Sequence, residues 1–291
     1  MRYRALGDLL VSAIGYGAMP LSIEGHPDES RALATVHAAL DAGVTLLDTA
    51  DSYYAPGGER GHNELLLARA LGSYGGSLDG VLVATKGGRG RTDDGDWSVD
   101  GRPEHLKAAA KGSLRRLGTD AIGLYQLHKP DPAVPFTESL GALRELLDEG
   151  VIRLAGISNV TEAQIRQARD ILGDRLVSVQ NRYSPAVRDA EPELRLTAEL
   201  GLAFLPWSPL GGISRSSLDG ASAVAADPAF DGFHTVARER GVSPQQVALA
   251  WLLGRSPNVV PIPGGSRPES VRDSAAAADL VLGEEELALL P

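Results

Sequence analysis

The feature that most constrains this chain is an unbroken alternation of short β-branched runs with amphipathic helical stretches. After a leading segment from Arg2 to Ser12, with a turn at Gly7-Asp8, candidate strands fall at Ala13–Gly17, Thr45–Thr49, Val81–Lys86 and Ile122–His128. The second half supplies Ile152–Ser158, Leu176–Gln180, Leu202–Trp207 and Val259–Pro263. Helical patterns lie between them at Ser30–Asp41, Pro103–Leu117, Glu138–Glu149 and Thr161–Leu172, and Ser243-Pro244 has the form of an N-cap followed by proline at the first helical position. A helix between successive strands makes them parallel. Eight such units with no linker and no break in composition predict a (β/α)8 barrel, a TIM barrel, preceded by an N-terminal β-hairpin. One barrel of this kind takes roughly 250 residues, so the 291 residues are expected to form a single domain, 1–291. The rival is an open doubly wound sheet, which carries G-x-G-x-x-G in its first strand-to-helix turn. Here Gly15-Tyr16-Gly17-Ala18-Met19-Pro20 begins that pattern and fails at its last position.

Composition removes several function classes. There is no cysteine, which excludes disulfides, cysteine zinc sites and a thiolate nucleophile. A net charge of −10 argues against a nucleic-acid surface, while leaving room for a basic pocket for one phosphate group. No apolar run reaches the roughly eighteen residues of a membrane span, so no membrane partner is expected. The opening MRYRALGDLL lacks the apolar core and cleavage site of a signal peptide, so the cytoplasm is the expected compartment. Nothing in the sequence signals an extra interface, so the expectation is a monomer. Lysine occurs only at Lys86, Lys107, Lys111 and Lys129, which draws attention to Lys86 at the end of an apolar run.

Two connections are too long for plain turns: Gly87 to Arg102, which carries Trp97, and Gly211 to about Asp227. Both follow strands and are expected on the C-terminal face, where barrel enzymes build their sites. The same rim receives the ends of three consecutive strands. LLDTADSYY puts Asp48 at a strand end with Tyr53 just beyond, VLVATKGG ends at Lys86, and AIGLYQLH ends at His128. Taken singly, Asp48 reads as a loop cap, Tyr53 as a packing tyrosine, Lys86 as a strand end and His128 as a core histidine. Together they form a candidate acid–base site. Hydride delivery to a carbonyl creates an alkoxide that needs a proton, and free tyrosine is a weak acid at neutral pH. An ammonium beside the phenol is expected to lower its pKa, Asp48 to hold that ammonium, and His128 to orient the substrate oxygen. This chemistry requires no metal.

These motifs resemble the aldo-keto reductase family: Asp48-Thr49-Ala50-Asp51-Ser52-Tyr53 with Asn63-Glu64, then Ala84-Thr85-Lys86, then Tyr125-Gln126-Leu127-His128. The resemblance runs from Gly15-Tyr16-Gly17 to the C-terminal helix and implies a catalytic tetrad of Asp48, Tyr53, Lys86 and His128, with Tyr53 as general acid. It further implies that Ser158, Asn159 and Gln180 hold the carboxamide of a nicotinamide, and that Trp207, within Pro206-Trp207-Ser208-Pro209-Leu210, stacks on its ring. Gly264, Gly265 and Ser266 resemble an adenine-end loop, with Arg267 a candidate for the ribose 2′-phosphate. The resemblance implies NADPH/NADP+ as the cofactor; many members, however, have Lys-Ser at Gly264-Gly265, Arg or Gln at Ser270 and Asn at Ser274, and these departures weaken selectivity for NADP and leave NADH also possible. Tyr54, Trp97, Trp207 and Leu21-Ser22-Ile23 are the candidate walls for a small-molecule carbonyl substrate. The segment from Thr85 to Leu106 resembles a bacterial branch in which some relatives interconvert pyridoxal and pyridoxine. Two other readings stay open: a cofactor-loaded redox sensor or auxiliary subunit with little turnover, and a hydrolytic or isomerising barrel using Asp48 and His128. The second leaves Lys86, Trp207 and the Arg267 loop without a role.

Overall fold

The computed structural model of the chain describes residues 1–92, 94–214 and 228–291. Strands β1 (Tyr3–Leu6) and β2 (Leu9–Ser12) form the antiparallel hairpin expected ahead of the barrel. The barrel strands are β3 (Tyr16–Gly17), β4 (Leu46–Asp48) and β5 (Leu82–Gly87), followed after an inserted pair, β6 (Arg89–Arg91) and β7 (Trp97–Val99), by β8 (Ile122–Leu127), β9 (Ile152–Ser158), β10 (Leu176–Gln180) and β11 (Ala203–Phe204). They lie in the order β11-β10-β9-β8-β5-β4-β3, every neighbouring pair parallel.

The segment expected as the eighth strand, Val259–Pro263, is not a regular strand, yet it closes the cylinder. Val260 N donates to Phe204 O (2.8 Å) and Ile262 N to Pro206 O (3.2 Å) on one side. On the other, Gly15 N donates to Pro261 O (2.9 Å) and Gly17 N to Pro263 O (3.0 Å). Pro261 and Pro263 have no N–H to return, so half of one ladder is missing. The expected strands Ala13–Gly17 and Leu202–Trp207 shrink to two residues each beside this seam. Gly17 is needed there, since a Cβ would meet Ile262 O at 2.9 Å.

The helices wrap the outside: α1 (Glu29–Asp41), α2 (His62–Gly72), α3 (Pro103–Leu117), α4 (Phe136–Asp148), α5 (Glu162–Leu172), α6 (Glu191–Glu199), α7 (Asp231–Arg240), α8 (Pro244–Arg255) and α9 (Pro268–Ala276), with a short α10 (Glu284–Leu287) after them. Their starts follow local chemistry. Thr161 caps α5 reciprocally with Gln164, and Ser243 accepts from Gln246 N at 3.0 Å to start α8, as its position before Pro244 predicted. The first helix begins one residue earlier than the pattern suggested because Asp28 accepts from Arg31 N at 2.9 Å. No described helix is long and apolar enough to cross a membrane.

Alternation along the strands sorts side chains between two cores. Leu46, Leu82, Ala84 and Leu124 form an apolar cluster with Val260 and Ile262 inside the barrel, joined by Leu6 and Val11 from the hairpin. Leu47 of β4, and Tyr125 and Leu127 of β8, instead pack outward in the layers that hold the helices. Two residues beyond Ala84, Lys86 inherits the inward direction, and Asp48 does so two beyond Leu46. The apolar filling thus ends in charge at the strands' C-terminal ends. The connection from Gly87 to Arg102 contains an antiparallel hairpin, with Arg89 opposite Val99 and Arg91 opposite Trp97. Most of the second long connection, 215–227, lies outside the described residues.

Candidate active site

Asp48 and Lys86 are the charged pair at the top of the barrel core. Lys86 is fully buried and Asp48 nearly so, with Nζ 2.5 Å from Oδ1. Lys86 also donates to Thr49 O at 2.9 Å and reaches Tyr53 OH at 3.3 Å, using all three of its protons. The other carboxylate oxygen of Asp48 accepts from Gln180 Nε2 (2.8 Å) and Gln126 Nε2 (3.3 Å). A buried ion pair is tolerable only when its remaining hydrogen-bonding capacity is satisfied, and here four partners surround it. Burial pulls the Lys86 pKa down, but Asp48 and Tyr53 outweigh it and the net shift is upward. The ammonium therefore keeps its charge.

Tyr53 and His128 stand over this pair, their rings edge to face with centroids 5.7 Å apart. The sequence predicted a tyrosine acidified by Lys86. Instead, burial dominates and raises the Tyr53 pKa above 10.0, Lys86 pulling it down less than burial pushes it up. A phenolate loses its hydration in this site, and one ammonium already shared with Asp48 does not replace it. His128 is driven well below 6.5 by burial, then by the charges of Lys86 and Arg89, so its imidazole is neutral at neutral pH. Ser52 Oγ lies 3.4 Å from His128 Nδ1. If the hydroxyl donates, the ring hydrogen is left on Nε2. Ser52 and Gln126 were not singled out from the sequence, although both belong to quoted segments.

Asp48, Tyr53 and His128 line a cavity of about 130 Å³ together with Ser158, Asn159, Gln180, Trp207, Ser208, Leu210 and Gly264. Ser158 Oγ donates to Gln180 O (2.7 Å), and Asn159 Nδ2 to His128 O (2.9 Å), which ties this half of the rim to the catalytic half. Asn159 (φ 58°) and Ser208 (φ 48°) both adopt left-handed backbone on the cavity wall. Ser266 and Arg267 lie in an adjoining open cleft of about 570 Å³, whose lining shares Pro20, Leu210, Ser214 and Gly264 with the first cavity. Arg267 is exposed immediately before α9, and Ser270 and Ser274 line the same cleft.

Of the candidate substrate walls only Trp207 lines this cavity, and the Leu21-Ser22-Ile23 stretch stops short of it behind Met19 and Pro20. Neither Tyr54 nor Trp97 is among the residues lining the cavity. Trp97 lies instead under two guanidiniums, those of Arg89 (4.2 Å to the ring centroid) and Arg91 (4.1 Å). Arg89 takes the place on the wall, and sequence reasoning missed it. The Gly87-Gly88 step delivers it there. A Cβ on Gly87 would fall 1.9 Å from Tyr125 OH, and Gly88 turns the chain with φ +90°. That glycine pair was the only available signal.

Residues 13–290 match the model of the aldo/keto reductase family. The chain is 35% identical over 296 residues to pyridoxine 4-dehydrogenase of Escherichia coli, covering 98% of this chain and 96% of that protein. Among solved structures it superimposes on glycerol dehydrogenase from Gluconobacter oxydans with a TM-score of 0.84 and 28% identity, over 99% and 93% of the two chains. An aldo/keto reductase from Klebsiella pneumoniae, solved with NADP and acetate, gives 0.75 and 29% over 96% and 90%. The strand ends, the buried lysine pair and these matches agree: the chain belongs to the aldo/keto reductase family.

Proposed function

We infer that the protein reduces an aldehyde or ketone to an alcohol with NADPH, Tyr53 giving the proton. The observation that carries this reading is the Tyr53 hydroxyl held 3.3 Å from a buried ammonium and beside a neutral histidine, at the wall of a cavity. The cofactor is supported by features of the opposite wall. Trp207 lines the cavity, and its buried Nε1 has no hydrogen-bond partner among the described residues. The cavity continues past Gly264 into the second cleft, an extended track suited to a dinucleotide. Asn159, Ser158 and Gln180 are the candidate holders of a carboxamide, Trp207 of the ring, and Ser266 with Arg267 of the phosphate-bearing end.

Bound NADPH supplies a hydride to the carbonyl carbon. The chain's residues handle the charge that follows. His128, as the Nε2–H tautomer, donates to the carbonyl oxygen and fixes it toward Tyr53. Tyr53 transfers its proton as negative charge builds on that oxygen, and Lys86 stabilises the phenolate left behind. The raised pKa of Tyr53 suits this role in one respect, because the phenol stays protonated until the substrate oxygen becomes the stronger base. Asp48 fixes Lys86 in position throughout. The test is loss of reduced-nicotinamide absorbance with NADPH, then NADH, on a panel of an aromatic aldehyde, pyridoxal and a dicarbonyl. Turnover on at least one carbonyl is expected. Tight NADPH binding with no turnover across a widened panel overturns the reductase reading in favour of a sensor.

A further inference from the structure

Arg89 and Arg91 sit two residues apart on one strand and both lie on Trp97, yet their charges are treated differently. Arg91 is ion-paired with Glu24 at 3.0 Å and donates to Gly95 O at 2.9 Å. Arg89 has no ion pair among the described residues, although it is half-buried and lines the catalytic cavity. Its charge is felt by both Tyr53 and His128. The other charges at the site cancel, Asp48 against Lys86, and His128 is neutral. Among the described residues, the cavity therefore carries one positive charge with no counter-ion, inside a protein whose net charge is −10. Burial lowers the Arg89 pKa, with Tyr53 opposing and Arg91 adding to the fall, but a guanidinium remains charged at neutral pH.

A half-buried cation without a counter-ion costs stability unless something else completes it. The catalytic groups are spoken for, and the candidate nicotinamide wall is the far arc of the rim, so the missing anion belongs to the substrate. We propose that Arg89 selects carbonyl substrates that carry a carboxylate, placing this chain among reductases of aldehydo or keto acids. This rests on the reductase reading of the cavity. A carboxylate fits better than a phosphate ester: its two oxygens match one planar fork, and Arg89 is the only cationic side chain lining a cavity of about 130 Å³ among the described residues. The arginine holds the acid end while Tyr53 and His128 face the carbonyl, so substrate length between the two groups is set by the wall.

Two measurements test this. The first compares kcat/KM for 4-carboxybenzaldehyde and for its neutral methyl ester, in wild type, Arg89→Gln and Arg89→Lys. The acid-to-ester ratio is expected to exceed one in wild type, to fall about ten- to a hundredfold in Arg89→Gln, the loss typical of a charge-assisted hydrogen bond, and to recover in part in Arg89→Lys. An unchanged ratio overturns the proposal, even where both rates fall together. The second needs no turnover: tryptophan fluorescence follows benzoate against benzamide binding to the NADP+-saturated protein. Preferential benzoate binding that Arg89→Gln weakens about tenfold or more supports the proposal whether or not the carbonyl panel is reduced. Equal benzoate affinity in wild type and Arg89→Gln contradicts it, while leaving the reductase reading intact.

Discussion

The two halves of the barrel rim are built differently. On one side β4, β5 and β8 are regular, and their ends carry Asp48, Lys86 and His128 at positions fixed by strand alternation. On the other side β11 and β3 have two residues each, the segment between them carries two prolines, and Ser208 just past β11 adopts left-handed backbone. A complete ladder holds side chains within the small tolerances that proton transfer requires. An interrupted ladder frees backbone and opens space, which suits a long ligand bound along a track. The difference places the acid–base side chains on paired strand ends, whereas Trp207 and Gly264 of the proposed cofactor wall stand beside the interrupted seam, with Ser158 and Gln180 ending the paired strands β9 and β10 between them.

The strongest way to break this contrast is Lys86→Met. It strips the cation from a fully buried pair and leaves Asp48 with only amide donors, so a stability loss of about 3–5 kcal/mol is expected in urea unfolding. Asp48→Leu combined with Lys86→Met should recover part of it, since the uncompensated charge goes as well. A single-variant loss below about 1 kcal/mol, the scale of an exposed pair, would show that the pair does not anchor the rim. On the irregular side the expected effect is smaller and confined to binding. Arg267→Ala should raise the Kd of NADPH about tenfold and leave that of NADH nearly unchanged, as read by isothermal titration. An equal change for both cofactors would remove Arg267 from the 2′-phosphate.

Two pH profiles sharpen the comparison further. Tyr53 titrates above 10.0 and His128 well below 6.5, so neither ionises between those values and kcat/KM for reduction should be flat across that window. A break near pH 7 to 8 would mean that one of them is ionised in the working site. Asp51, three residues past Asp48 and equally buried, behaves otherwise: Arg60 reaches Oδ2 at 2.6 Å, but Oδ1 has no partner among the described residues. Burial, only partly offset by Arg60, raises its pKa from 3.8 to about 6. The folded state then holds more protons than the unfolded one in that interval, so this contribution is present below 3.8 and lost as pH rises through about 6. Asp51→Asn should remove that slope from a plot of Tm against pH, and a slope that survives would assign it to another group.

The barrel was legible because its signal is periodic: each apolar run ends where a polar group emerges, which located Asp48, Lys86 and His128 without any structure. The eighth strand illustrates the limit. Val259–Pro263 has the right composition, but its prolines supply acceptors without donors, and only three-dimensional pairing shows that it closes the cylinder. Arg89 was hidden for a different reason. It sits in a stretch of Gly, Arg and Asp with no hydrophobic period, and the hairpin that turns it inward depends on the contact of Gly87 with Tyr125. The direction of the Tyr53 shift was also out of reach, because spacing shows which charges are near and not how much water is lost.

The central claim is that Tyr53 gives the proton while the facing wall of the cavity, from Ser158 to Gly264, binds the cofactor without it. Tyr53→Phe separates the two in a single protein, with kcat followed by absorbance and the NADPH Kd by fluorescence. A fall in kcat of about 10²- to 10⁴-fold with the Kd changed less than about threefold is the predicted result. Retained turnover, or a loss of cofactor binding that accounts for the loss of rate, would contradict it.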